Sequence, residues 1–401
     1  MARIVFVNVP AHGHTNPTLP LVKELVRRGN TVIYYSFDEF QAAIEQTGAT
    51  FRSYQHLLAI DFTHPDANLL RLATMLLEIT AEIMPSLLQA VAADLPDLLI
   101  HDSLCPWGKY VAQILAVPAI CSTTTFAITP RMAFGSLGQI AEILRQTVAA
   151  RPEFRRFQDT AQILTQRYAI ARPLPLDMFR NQSALNLVFT SALFQPYAAS
   201  FPPSFKFVGP SLAAAAAELP LPFAVPAGVP LIYISLGTLF NDNRDFYRVC
   251  FATVGAMNVQ CIVSIGNKLT LADLGDIPPN VTVRNSVPQL AVLRRAAAFI
   301  THGGMNSVHE ALWFGVPLVV VPQAGDQEFV AQRVAASGAG RHIARKQLNV
   351  TRLRHALEQI LAKPDYRLIS AHIGASLQAA GGYERAADEI TTFWAGSHRD
   401  R

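Results

Sequence analysis

A chain of 401 residues with 51% hydrophobic and 15% charged side chains is too apolar to be disordered, and it is long enough for two or three domains. Lys and Arg number 33 against 29 Asp and Glu, a net charge of +4 spread along the chain, so no basic block marks a nucleic-acid partner. Four cysteines, Cys105, Cys121, Cys250 and Cys261, lack the close spacing of zinc or redox pairs and read as small buried apolar residues.

The N-terminal segment, Met1 to Pro10, is too short and too β-branched for a signal peptide, and no stretch is expected to reach the ~18 apolar residues of a membrane span. The expectation is a soluble, cytoplasmic protein with no membrane span. Ile4 to Val9 is a continuous apolar run that suits a strand buried on both faces. A loop, Pro10-Ala-His-Gly-His14, follows it. Asn16 and Pro17 read as an N-cap and a first helical residue. Leu21, Val22, Leu25 and Val26 then recur at helical spacing until Gly29. Thr31 to Tyr35 reads as a strand, and Asp38 to Gln46 as a helix closed by Gly48. Such alternation predicts a parallel sheet covered by helices on both faces.

Asn68 to Ala93, rich in Leu, Met and Ala, reads as a helix. Leu98 to Ile100 is a short strand running into His101-Asp102, Ile120 to Thr124 is another, and the pattern from Phe126 to about Arg167 is helical. Seven prolines between Pro202 and Pro230 surround the alanine run at 213–217, which marks an irregular linker. This places a first domain at residues 1–208, a linker at 209–229, a second domain at 230–380 and a last segment at 381–401. In the second half, strands are expected at Leu231–Ser235, Cys261–Ile265, Phe299–Thr301 and Leu318–Val321. Helices fill the gaps, at about Asp245–Met257, Pro288–Ala296, Asn306–Phe314 and Asp326–Ser337. The fold class is therefore α/β, with two doubly wound, Rossmann-like domains.

The strongest local signal is Thr301-His-Gly-Gly-Met-Asn-Ser-Val-His-Glu310, between an apolar strand and an amphipathic helix. A glycine-rich strand-to-helix turn lets backbone N–H groups approach an anion, and a helix N-terminus favours negative charge. His302, Asn306 and Ser307 can add donors. The same letters also fit a capping box from Ser307 to Glu310 that serves helix stability alone. Asp326 and Gln327 open a helix at a strand end, where ligands of open α/β sheets bind, although Asp326 alone would pass as a plain N-cap.

The span from Val287 to Gln327 closely resembles the donor-binding signature of family 1 glycosyltransferases, and is most similar to the bacterial macrolide and antibiotic enzymes. The matching pieces are Val287-Pro-Gln289, His302-Gly-Gly-Met-Asn-Ser307 with Glu310, Gly315-Val-Pro317 and Asp326-Gln327. Gly13-His-Thr-Asn-Pro17 and Phe207-Val-Gly-Pro210 match as well. The resemblance implies a GT-B fold, in which two Rossmann-like domains enclose a cleft, the first binds the acceptor, the second holds a nucleotide sugar, and the C-terminal helix packs back on the first. It assigns the base to the backbone of Val287, ribose to Gln289 and Glu310, and the diphosphate to His302, Gly304, Asn306 and Ser307. Sugar hydroxyls fall to Asp326 and Gln327, and Ser235, Gly237 and Thr238 form a second phosphate-side loop. Ser286 stands where the family often carries an aromatic residue that stacks on the base, which leaves UDP and TDP both open.

By the same resemblance His14 is the general base and Asp102 its partner, and His12 is structural. The implied reaction is an inverting displacement: His14 takes a proton from an acceptor hydroxyl, which attacks the anomeric carbon of a UDP-hexose such as UDP-glucose. The sugar nucleotide is a co-substrate, with no further cofactor and no metal. Asp242 and Asp245 read as surface or helix-cap residues. The partners are thus the nucleotide sugar and a small apolar acceptor of macrolide, phenolic or flavonoid type, on a monomer or homodimer. Met75, Phe126 and Phe134 are candidate acceptor contacts, with ordinary core as their other reading. The rival functions are an NAD-dependent oxidoreductase, a nucleotide-sugar epimerase or lipid-linked sugar transferase of the same fold, and a non-catalytic partner protein. The first lacks Gly-x-Gly-x-x-Gly after the first strand, and the presence of both His14 and Asp102 argues against the last.

Overall fold

The computed structural model describes residues 1–54, 68–129, 132, 145, 150–212, 218, 220–221, 228–238 and 241–397. The chain divides into two compact units, Met1–Ser211 with Ala380–Arg401, and Leu212–Ala379. Each is built on one parallel sheet.

The first sheet has seven strands: β1 (Arg3–Val7), β2 (Thr31–Ser36), β3 (Thr50–Ser53), β4 (Leu98–Asp102), β5 (Ala119–Thr123), β6 (Leu185–Val188) and β7 (Phe205–Phe207). Their order is β3-β2-β1-β4-β5-β6-β7, all parallel. β4 is buried at every position, as a central parallel strand covered on both faces must be. Because β1 lies between β2 and β4, the order reverses there, and the loops after β1 and β4 leave the same edge side by side.

The first helical segment starts earlier than its sequence suggests. The expected loop at 10–14 is instead a helical turn, α1 (His12–Thr15), entered from extended Ala11. A 3-10 turn at Asn16–Thr18 and α2 (Leu19–Arg27) continue it. Asn16 is therefore not an N-cap. Pro17 falls one turn inside a helical path, where its missing N–H removes a bond and tightens the chain into 3-10 geometry. After α3 (Gln41–Glu45), the helix predicted from Asn68 is α4 (Leu69–Ala93), capped by Asn68 Oδ1, which accepts from the N–H groups of Leu70 and Arg71. Its 25 residues are long and apolar enough to cross a membrane, with a mean hydropathy of 1.3 over 18 residues, which corrects the expectation that no stretch reaches that length. One face, including Leu77, Ile83, Leu87 and Val91, is buried in a core with Trp107, Phe157 and Leu164, as in a core helix. α5 (Pro106–Ile114) follows β4. The predicted helix from Phe126 is corrected at its start: Phe126 to Thr129 is non-helical, and the helix before β6 is α6 (Arg151–Tyr168).

The second sheet has six strands: β8 (Leu231–Ser235), β9 (Gln260–Ser264), β10 (Val281–Arg284), β11 (Ala298–Thr301), β12 (Leu318–Val320) and β13 (Gly340–His342). Their order, β10-β9-β8-β11-β12-β13, repeats the pattern of the first six strands of the other sheet, again with a reversal beside its first strand. The crossovers include α7 (Arg244–Val254), α8 (Gln289–Leu293), α9 (Met305–Trp313) and α10 (Gln327–Ser337), and α11 (Val350–Ala362) follows the last strand. α12 (Pro364–Ala379) packs on α9. The last helix, α13 (Gly382–Ser397), belongs to the first unit. Its Ala386, Ala387 and Ile390 join Leu21 and Leu25 of α2 in one core, and Arg28 bonds Asp388 at 2.6 Å.

Gly374 shows how tightly α12 and α9 meet. A Cβ there would lie 2.1 Å from the carbonyl oxygen of Leu312. Alanine normally stabilises a helix interior by about 1 kcal/mol over glycine. Here the clash is with backbone that cannot rotate away, so Gly374→Ala should instead destabilise by about 1–3 kcal/mol. Urea denaturation checks the sign, and a raised midpoint contradicts it.

Candidate active site

The first part of the site is built at the carboxyl edge of the first sheet. Asp102 is the last residue of β4 and its side chain has no exposure, so its two oxygens need protein donors. Oδ1 accepts the Leu104 backbone N–H at 2.7 Å, and Oδ2 lies 2.8 Å from Nδ1 of His14. His14, in α1 just past β1, keeps 16% of its side chain exposed. Thr124, just beyond β5 and buried, adds its hydroxyl 3.2 Å from the same ring nitrogen. The backbone of His14 is tied down as well, since Asn8 Nδ2 donates to its carbonyl at 3.1 Å. The loop residue has thus become a ring held from one side by a carboxylate and a hydroxyl, which fixes its tautomer and orientation. Thr124 is a site residue that sequence reasoning missed; within the run Ser122-Thr-Thr-Thr125 nothing distinguishes it from its neighbours. His12 sits edge-on to Phe40, with ring centroids 5.0 Å apart.

The candidate acceptor residues are placed differently. Phe126 is buried and tilts against Phe194 at 5.4 Å, and Met75 on α4 packs against the core of the first unit. Phe134 lies outside the described residues.

The second part gathers at the carboxyl edge of the other sheet. β8 ends in Ser235, and its loop turns at Gly237, with φ +72°, followed by exposed Thr238. β11 ends in Thr301, and His302-Gly-Gly304 leads into α9, whose N-cap is Gly304. The imidazole of His302 fills the space between the two loops. A Cβ on Gly237 would stand 2.7 Å from its Cε1, and one on Gly304 2.5 Å from its Nε2. Only glycine fits on both sides of this ring. Gly303, with φ +91°, lies so close to β12 that a Cβ would meet Val320 at 2.6 Å. The N-terminal N–H groups of α9, with Asn306 and Ser307 in its first turn, therefore open beside these loops. Because Gly304 is the cap and Ser307 is the third helical residue, the capping-box reading of Ser307–Glu310 does not hold.

Ser307 and Glu310 are joined instead through Gln289, the first residue of α8. Its Nε2 donates to Glu310 Oε2 and lies 3.3 Å from Ser307 Oγ, while its Oε1 accepts from Tyr233 at 2.9 Å. Val287 precedes this helix, partly buried, and Ser286 is exposed. Asp326 is exposed at the start of α10. Gln327 is buried, and its amide oxygen is engaged inside the protein, accepting from the backbone N–H groups of Gln323 at 2.8 Å and Ala324 at 3.1 Å. It shapes the loop after β12, a role its sequence position did not reveal.

Burial tunes the charges of this unit. It pushes the His302 imidazole down to about 4, opposed by a hydrogen bond to the Ser235 backbone, so the ring is neutral at pH 7. Burial also pushes Glu310 up to about 7, and the Gln289 amide opposes it by stabilising the anion.

Two parallel sheets of matching strand order, one ending in a His–Asp pair and the other in a glycine-rich helix start, define a protein of the two-Rossmann GT-B class. Residues 248–383 match the family model of the erythromycin biosynthesis protein CIII-like C-terminal domain. The chain is 35% identical to the NDP-glycosyltransferase YjiC of Bacillus licheniformis, covering 98% of each sequence. It is 33% identical to the uncharacterized UDP-glucosyltransferase YojK of Bacillus subtilis, over 97% of each. The solved structure of the glycotransferase of kitacinnamycin superposes with a TM-score of 0.84 at 30% identity, covering 98% of each chain. The calicheamicin glycosyltransferase CalG4 does so with 0.81 at 28%, also over 98% of each. The chain belongs to the family 1 glycosyltransferases of the bacterial antibiotic type.

The buried histidines set a pH dependence of stability. Burial lowers His101 and His302 from 6.5 to about 4 and His309 to about 3, and raises Glu310 from 4.5 to about 7. Between pH 6.5 and about 4.5 the unfolded chain protonates three imidazoles that the folded chain keeps neutral. Across that window the folded chain holds one extra proton, on Glu310, taken up mostly around pH 7. The unfolded state binds more protons, so stability falls as the pH drops through this range. The urea midpoint should be lower near pH 5 than near pH 7; an equal or higher midpoint contradicts these shifts.

Proposed function

We propose that this glycosyltransferase moves a hexose such as glucose from a UDP-sugar to a hydroxyl of a small apolar acceptor, with inversion, and with His14 as the general base. The observation that carries this reading is the 2.8 Å contact between His14 Nδ1 and the buried Asp102 carboxylate. With Nδ1 engaged, Nε2 is the nitrogen that takes the acceptor proton, and Asp102 stabilises the imidazolium that forms. The acceptor oxygen then attacks the anomeric carbon and the bond to the nucleotide diphosphate breaks.

The second unit holds the donor. The start of α9, the His302 ring and the loop at 235–238 receive the diphosphate and stabilise the charge that grows on it as it leaves. Gln289 and Glu310 meet the ribose, the Val287 backbone the base, and Asp326 the sugar hydroxyls. Gln327 supports that subsite by holding the loop at 323–324. The helix terminus and neutral donors supply the electrostatic stabilisation, so no metal and no cofactor beyond the sugar nucleotide enters the scheme. The names of several relatives favour UDP and macrolide-type acceptors, as in the UDP-glucosyltransferase of Bacillus subtilis and the oleandomycin glycosyltransferase of Streptomyces antibioticus, 31% identical over 97% of this chain.

Incubation with UDP- and TDP-sugars and a panel of phenols, flavonoids and macrolides, followed by nucleotide release and product mass, tests the reading. Its failure would be an absence of transfer from any donor alongside tight NAD binding. His14→Ala should lower the transfer rate by ~10²–10⁴-fold while UDP binding stays within about twofold, because a general base is lost and the donor site is intact. Retained transfer in that variant removes His14 from the mechanism. At the base subsite, Ser286→Trp should tighten UDP binding several-fold if a stacking partner is missing there. An unchanged dissociation constant argues that the base is held by other means.

A further inference from the structure

Tyr233 has no place in the scheme above, yet it bonds directly to a residue that does. It lies in the centre of β8, 1% exposed, with its ring stacked on Phe299 of β11 at 4.7 Å and 15°. Its hydroxyl is the donor to Gln289 Oε1 at 2.9 Å. A glutamine amide can be turned end for end, and its two orientations present opposite groups to a neighbour. Here the tyrosine decides between them. With Oε1 claimed by the phenol, Nε2 must face the other way, where it meets Glu310 and Ser307. The reverse orientation would set the amide oxygen against the Glu310 carboxylate and give up the bond that the phenol donates to Oε1.

We propose that Tyr233 is a positioning residue for donor binding: its hydroxyl fixes the Gln289 amide with nitrogen toward Glu310, so that Glu310 meets the ribose as a carboxylate. The inference rests on the donor-site reading given above. A carboxylate accepts from both ribose hydroxyls, whereas a carboxylic acid offers fewer acceptor sites. Burial works against the anion, and the Gln289 bond works for it. Removing the phenol hydroxyl frees the amide to turn, which tips Glu310 toward its protonated form.

The surroundings of Glu310 leave this bond few competitors. On the same helix, His309 is buried and driven down to about 3, and His302 at the helix start is driven down to about 4, so both stay neutral above pH 5. Arg294, just after α8, bonds Glu218, and Arg295 is exposed. On α12, Arg367 donates to the Ala296 carbonyl, and Asp365 and His372 are exposed. On the strands beneath, Tyr233 is the titratable group that faces it, and burial raises that phenol far above pH 7.

Tyr233→Phe keeps the stacked ring and deletes only the hydroxyl. It should raise the donor KM about tenfold with kcat within about twofold, and move the pH midpoint for UDP binding upward. The terminal phosphate of UDP titrates in the same range, so the shift is read as variant minus wild type. With 2′,3′-dideoxy-UDP, which offers Glu310 no hydroxyls, the two proteins should bind alike. Gln289→Met, which removes the amide without changing its length, should give the same upward shift and guards against misfolding of the first variant. A Tyr233→Phe protein with unchanged KM and unchanged midpoint overturns the proposal, as does an equal loss toward dideoxy-UDP. If the wild type binds neither UDP nor TDP, the donor-site reading itself fails and takes the proposal with it.

Discussion

A buried carboxylate must be supplied with donors, and Asp102 is enclosed completely. This single requirement organises the edge of the first sheet. The β1–β4 pairing brings the end of β4 beside the end of β1, and α1 begins a few residues later, so His14 can reach one oxygen while Leu104 N–H reaches the other. The Leu104 bond is local to the turn after β4, but the His14 bond could not form with the ends of β1 and β4 apart. Asn8, in the last position before the turn, holds the His14 backbone so that the ring arrives at the right place. The His14–Asp102 pair is thus a consequence of strand order more than of local sequence.

Under the proposed function the second unit faces the opposite electrostatic task, to receive an anion. It does so with backbone and neutral side chains. His302 is packed so closely by Gly237 and Gly304 that it cannot readily carry charge, and its desolvation keeps it a neutral ring. Gly237 is then fixed twice, by its positive φ and by the imidazole, and Gly304 by the imidazole. A net charge of only +4 is compatible with this, because a helix N-terminus supplies local positive potential without a basic surface.

Much of this could be read in the sequence because parallel strands buried on both faces are long apolar runs, and because glycine-rich strand-to-helix turns are rare and ordered. The expected strands Leu231–Ser235, Phe299–Thr301 and Leu318–Val321 differ from the observed ones by a residue at most. What escaped was of two kinds. β3, β6, β7, β10 and β13 are only three or four residues long, too short for a periodic signal to stand out. Side-chain partners across the sheet were also invisible. Thr124 lies 110 residues from His14, and Tyr233 lies 56 residues from Gln289; both read as ordinary members of strands. The resemblance gives Gln327 to the sugar hydroxyls, while its burial and the bonds its amide oxygen accepts from the 323–324 backbone appear only in three dimensions.

His14 and Gln289 share one physical device. Each is a planar, two-ended polar group placed at a sheet edge, and each is anchored at one end by a buried partner from a neighbouring strand region, Asp102 for the ring and Tyr233 for the amide. Anchoring one end removes the orientational freedom that would otherwise let the group present the wrong atom. It also lowers the entropy lost when the other end engages a ligand, since the side chain is already ordered. In both cases the anchor is rigid because it is packed in the sheet, and the anchored group is only partly exposed, so its chemistry is set by the interior and used at the surface. In each unit the parallel sheet thus supplies the anchor, and the loop or helix at its edge carries the group that the anchor orients.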